Sequence, residues 1–269
     1  MSKVVELGNK LKSIEKIKQS AEAMQVVAVA QLKKAQAGQR AAARYKESYD
    51  NLAAKVGLEL KPLASVPEPT IMVYVFASER GFCGSFNQGL AAAVETFVHG
   101  KKVAGKAPRL VVQGKKGSEL FHDNEVSSAS PLALAEAGAT LYASGEAQAV
   151  YLCYNEFKSM LVQQPVCRQI LPFIAKAGKS GQTLIEPSLK SARNFVTINY
   201  LKAVFYDAFM QARLGEVSAR LLTMRGATES AKELLAELRI KFNKARQSMI
   251  TVELSEIVSS FEILNEGVG

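Results

Sequence analysis

Tryptophan is absent from the 269 residues, aromatics reach only 7%, and there are three cysteines, Cys83, Cys153 and Cys167. Since 48% of the chain is nevertheless hydrophobic and much of that is alanine, burial must rely on small side chains, which suits closely packed helices. Three cysteines, an odd number without CxxC spacing, imply neither a zinc site nor a disulfide framework, so a reducing compartment is expected. No apolar run reaches the ~18 residues that a membrane-spanning helix needs. The Lys-rich N-terminus is interrupted by Glu6, Glu15 and Glu22 and followed by no cleavage-like site, so it reads as mature structure rather than a transit peptide. A Walker A sequence is missing, which excludes P-loop nucleotide binding.

The net charge is +9, and its basic excess lies in the first two thirds: residues 1–60 carry 11 Lys and Arg against 6 Asp and Glu, whereas residues 198–269 carry 9 of each. Such a field implies an acidic partner, which could be nucleic acid, anionic lipid or an acidic protein face.

Residues 3–58 contain no proline, and Leu7, Leu11, Ile14, Lys18, Ala21, Met24, Ala28, Leu32 and Ala35 recur in steps of three and four. They predict one helix with a narrow, small-residue seam, about 80 Å long at ~1.5 Å per residue. A second and stricter series runs Met210, Leu214, Val217, Leu221, Met224, Thr228, Ala231, Leu235, Leu238, Phe242, Ala245, Met249, Val252. A seam of period 3.5 winds left-handedly around another helix.

Between these helices Pro62, Pro67 and Pro69 break the pattern, and the apolar runs at residues 71–77, 109–113 and 149–155 read as buried parallel strands. Helical stretches are expected at 88–99, 116–122 and 132–148, then an edge strand and loop with Pro165, Pro172 and Pro187 over 164–189, and a last helix starting near 195–198. The predicted fold class is α/β: a long antiparallel coiled coil of N- and C-terminal helices with an inserted Rossmann-like α/β domain, divided as 1–60, 61–195 and 196–269.

Residues 78–89, SERGFCGSFNQG, follow a strand and open a helix, where phosphate cradles form, but the spacing is not GxGxxG and no acidic residue follows to hold a ribose. Cys83 beside Arg80 at a helix N-terminus is a possible activated thiol, although the two histidines, His99 and His122, belong to no recognisable motif. Gly114-Lys115-Lys116-Gly117 is either a second phosphate contact or a solvated turn. The lysines of the first helix are either a solvated face or a DNA contact, without aromatic interleaving. Near the C-terminus Arg246, Gln247 and Thr251 supply a guanidinium, an amide and a hydroxyl beside a seam made by Ala245 and Met249, a patch suited to gripping a loop or carboxylate.

The last helix, NKARQ-x-x-IT-x-E-x-x-EIV, resembles the C-terminal signature of the γ subunits of F-type ATP synthases. SERGFCGSFN is similar to that family's S-D-R-G-L-C-G-G-F-N loop, GKKG to its G-R-K-G turn, and EAMQVVAVAQLKKA to its K-A-M-x-M-V-A-A-x-K helix, with YNEFKS, ILP and IEPS in family order. The likeness covers nearly the whole chain. Glu22, Glu79 and Ser85 replace the family's Lys, Asp and Gly, and residues 227–231 read ATESA for A-T-x-N-A.

The resemblance implies a rotor shaft without catalytic, metal or cofactor site, turning inside a hexamer of α and β subunits and joined to ε and a c ring, with no nucleic acid partner. It implies that Arg246, Gln247, Thr251, Met24 and Arg220 contact β, and that the loop of Arg80, Gly81, Cys83 and Gly84 faces an acidic lever of β. It further implies peripheral attachment to the cytoplasmic side of a bacterial inner membrane.

Overall fold

A computed structural model describes residues 2–60, 70–121, 124–174, 186 and 188–266. Among the described residues, five helices and seven strands follow in the order α1 (Ser2–Lys55), β1 (Glu59–Leu60), β2 (Thr70–Phe76), α2 (Phe86–Val103), β3 (Ala107–Gln113), α3 (Lys115–Ser118), β4 (Asn124–Ser127), α4 (Pro131–Ala143), β5 (Ala149–Phe157), β6 (Gln163–Leu171), β7 (Phe173–Ile174) and α5 (Leu189–Glu266). Two compact units result: Ala28–Leu222, and the chain ends Met1–Val27 with Thr223–Gly269.

In the larger unit the sheet order is β4-β3-β2-β5-β6, with β4, β3, β2 and β5 parallel and β6 antiparallel on β5. The three apolar runs form the three central strands. β2 is buried along almost its whole length because both its faces are covered. Ile71, Val73 and Val75 pack with Leu90 and Val94 of α2, whereas Met72, Tyr74 and Phe76 pack with Leu134 of α4 and Leu201, Phe205 and Ala208 of α5. Each fully buried side chain of this kind contributes about 1.5–3 kcal/mol. Ser130 caps α4, its Oγ accepting from Ala133 N at 3.2 Å, and Pro131 occupies the first turn, where a missing N–H costs nothing.

Helix α1 stops at Lys55, ahead of the three prolines, which lie outside the described residues together with Pro187 and His122. Gly57 ends it: with φ +56 its N–H reaches Ala54 O while Leu58 N–H reaches Ala53 O, the paired 5→2 and 6→1 bonds of a glycine stop. Helix α5 begins at Leu189, six or more residues before the expected start, because Ser188 caps it through its Oγ to Ser191 N. Within this unit α1 and α5 run antiparallel: Leu32 and Ala35 cluster with Leu214 and Val217, Gly38 faces Met210, and Arg193 Nε donates to Val56 O.

The smaller unit is also an antiparallel pair, with Gly8 facing Phe242 and Glu15 3.7 Å from Arg239. The seam of α1 differs from the predicted one at a single step. Ala21 and Ala28 are buried, but Met24 is 38% exposed and Gln25 takes the intervening position, because a step of four and then three keeps the stripe on its partner.

Cys153 and Cys167 are directly opposed across β5 and β6 and form a disulfide. This corrects the sequence expectation that the three cysteines imply no disulfide framework. The 14-residue separation carries no signal in itself; the β5–β6 hairpin register brings the two together.

Candidate functional site

The loop after β2 is held by polar groups inside the larger unit. Ser78 is fully buried; its N–H donates to Asn87 Oδ1 at 3.1 Å and its Oγ accepts from Asn87 Nδ2 at 2.6 Å. Cys83 donates its S–H towards the same Ser78 Oγ at 3.7 Å, and Asn155 of β5 holds Phe86 O at 3.0 Å. Phe82, with φ +61, and Gly84, with φ +58, turn the chain left-handed, so that Cys83 is buried while Phe82 is 64% exposed. A bulky residue at positive φ costs about 1–3 kcal/mol and persists only where its surroundings fix it.

Arg220 of α5 is the main fixing group. Its Nε donates to Gly81 O and one terminal nitrogen to Arg80 O, both at 3.1 Å, while Glu216 one turn earlier accepts from it at 2.6 Å. Arg220 is 8% and Glu216 3% exposed, so the guanidinium is spent inside the unit. Arg80 and Gly84 are exposed beside it.

The GKKG turn locks against this loop. A Cβ on Gly117 would come within 2.3 Å of Ala77 Cβ, and one on Gly114, already at φ +119, within 2.5 Å of Ala77 O. Two of its amides are occupied, Lys115 N donating to Glu79 Oε2 and Gly117 N to Ser78 O, and the next, Ser118 N, donates back to Gly114 O.

Cys83 is not an activated thiol. Burial pushes it up, Glu216 adds to this, and the Ser78 hydrogen bond and Arg220 only partly offset both. His99 lies towards the other end of α2 from Cys83, in a groove with Glu95 and Lys102. Among the described residues no group of three metal-ligating side chains occurs, and no helix is long and apolar enough to cross a membrane.

In the smaller unit Arg246, Gln247 and Thr251 are exposed on α5, and the Thr251 hydroxyl donates to Gln247 O at 3.0 Å. Met24 is exposed on α1 of the same unit. Arg220 and the 80–84 loop belong to the larger unit, and the sequence reading missed that Arg220 holds that loop. A buried Glu-x-x-x-Arg pair looks in sequence like any surface pair on a helix. The loop's other supports, Ser78, Asn87 and Asn155, are polar residues inside or next to apolar runs, and that contrast is the signal that could have found them.

A family model described as ATP synthase matches residues 3–264. Among curated relatives, the ATP synthase gamma chain of Chlorobaculum parvum is 32% identical over 96% of this chain and 97% of its own length. That of Chlorobium limicola is 33% identical over 95% and 96%, and that of Variovorax paradoxus 32% over 94% and 96%. By fold, a chain of the Euglena gracilis mitochondrial ATP synthase, in an OSCP/F1/c-ring structure, aligns with TM-score 0.69 at 16% identity over 99% of this chain and 96% of its own. A chain of the rotor of the same enzyme aligns with TM-score 0.62 at 14% identity, over 93% and 99%. With matched family, relatives and fold spanning nearly its full length, the chain belongs to the ATP synthase gamma chain family.

Proposed function

We propose that this chain is the central rotor shaft of an F-type ATP synthase, catalysing nothing itself and coupling rotation of a c ring to ATP synthesis or hydrolysis on α and β subunits, with ε docked on its α/β domain. The observation that carries this reading is the seam of α5, buried at Leu214, Val217, Met224, Thr228, Ala231, Leu235 and Leu238 while Arg246, Gln247 and Thr251 are exposed to solvent. Two helices packed along a regular seam resist twisting, and exposed polar side chains on their outer face remain available to a partner. In functional terms the chain divides into a first shaft helix at 1–60, an α/β base at 61–195 and a second shaft helix at 196–269. Arg246, Gln247, Thr251 and Met24 contact β directly. Arg80, Gly81, Cys83 and Gly84 form the loop facing the acidic lever of β, and Arg220 acts through that loop by holding its carbonyls. Attachment is peripheral, on the cytoplasmic side of a bacterial inner membrane, through the complex.

Mixing the purified chain with α and β subunits is the test. A stable complex whose ATPase activity needs this chain supports the reading; failure to associate overturns it. In the assembled complex, Arg246→Ala with Gln247→Ala is expected to lower coupled turnover while leaving assembly intact.

A further inference from the structure

A cavity of about 190 Å³ lies between α1, strands β5, β6 and β7, and α5, within the larger unit. Asp207 of α5 borders it and is 6% exposed. Gln211 Nε2 donates to its Oδ2 at 2.8 Å, whereas Oδ1 is buried without a hydrogen-bond partner. A buried carboxylate oxygen left unpaired requires a donor.

The neighbouring cations do not supply it. Lys46 Nζ is 2.7 Å from Asp50 Oδ2, and Arg168 is 2.7 Å from Glu156, which Lys158 also contacts at 2.9 Å. Asp207 makes no ion pair among the described residues. The remaining walls include three aromatic rings: Tyr154, and Phe173 against Tyr200 with centroids 4.7 Å apart and planes tilted by 33°. Their faces attract a cation and shield an apolar body from water. A free anion would meet the Asp207 charge, and a bare metal ion would find too few carboxylates.

We propose that this cavity binds a compact organic cation, a primary ammonium on a short apolar body, which donates to Asp207 Oδ1 and rests against Tyr154, Phe173 and Tyr200. At ~30 Å³ per water the cavity holds about six waters, the size of a small alkylammonium.

The proton is the natural competitor. Burial pushes the Asp207 carboxyl up; the Gln211 hydrogen bond and Lys46 pull it down, Asp50 raises it again, and Arg168 lowers it. The other groups around it are Tyr154 and Glu156 of β5, Gln169 of β6 and Tyr200 of α5. Burial holds the Tyr154 phenol up at about 12 and raises that of Tyr200 as well, so both stay neutral. Only the ionised carboxylate attracts the ammonium, so affinity rises with pH through the raised Asp207 titration.

The experiment titrates n-butylammonium chloride into the full chain at constant ionic strength, followed by saturation-transfer NMR, with n-butanol as the uncharged probe of the same skeleton. Wild type is expected to bind butylammonium, more tightly at about pH 8 than at about pH 5, where this amine stays charged throughout. Asp207→Asn should lose about tenfold or more of that affinity, as befits a charge-assisted hydrogen bond. Val204→Phe fills the cavity while leaving the carboxylate in place, and should abolish binding. The proposal is overturned if the Asn variant binds butylammonium as tightly as wild type, if n-butanol binds equally well, or if nothing binds at either pH. Should one variant fail to fold, the other variant and the wild-type pH profile still decide.

Discussion

Two stretches of α5 share one spacing and differ in burial. Leu214, Val217, Met224, Thr228, Ala231, Leu235 and Leu238 are buried; Phe242, Ala245 and Met249 are half-buried, and Val252 is 53% exposed. Spacing fixes which side chains fall in one line, whereas burial depends on what faces that line. Near Met249 the opposing surface is a shallow groove with Val4 and Leu7. Arginines follow the same division: Arg220 is consumed by its own unit and Arg246 is left to others.

The sharpest test of that division is Arg220→Ala. It strands the buried Glu216 and frees two loop carbonyls, so a loss of about 4 kcal/mol is expected in urea unfolding. A loss below ~1 kcal/mol would mean that Arg213, 3.7 Å from Glu216, takes over. Next, Leu235→Ala should cost about 3 kcal/mol and Val252→Ala under ~0.5. Equal costs would erase the contrast along the seam. Gly117→Ala drives a methyl into Ala77 and should cost about 2 kcal/mol, read as a lowered Tm.

Asp207 sharpens the comparison through pH. Its folded-state pKa is raised, so the unfolded chain ionises first as pH climbs from the ordinary carboxyl value. Its contribution to stability therefore falls over that window, and the full penalty stands above the folded-state value. Asp207→Asn should be more stable than wild type at neutral pH and should flatten this part of the pH profile, as measured by thermal melts at several pH values. The smallest structural effect belongs to Arg246→Ala with Gln247→Ala: Tm should be unchanged while coupled ATPase activity falls. A matching drop in both would place these side chains in the fold rather than at a partner.

Much of the architecture was legible in the sequence because its signals are collinear. The strands stand out as apolar runs between glycines and prolines, and the α5 seam needs only counting. Met24 was put on the seam because methionine is apolar, whereas the true stripe passes through Gln25, whose long methylene stem can lie along a seam. The disulfide and the Arg220 anchor were illegible for another reason: each joins elements whose pairing depends on register or on loop conformation, which spacing does not encode. Spacing and donor chemistry marked Arg246, Gln247 and Thr251 as one patch beside the seam, but only the resemblance named a partner for it, since exposed polar residues on a helix do not encode what they bind.

The contact between Gly117 and Ala77 carries an evolutionary consequence. Position 117 already has the smallest side chain there is, so no substitution there can make room for a larger neighbour at 77. Drift at this joint is therefore one-way: position 77 can only shrink, and a bulkier residue at either place requires the end of β2 and the start of α3 to be rebuilt.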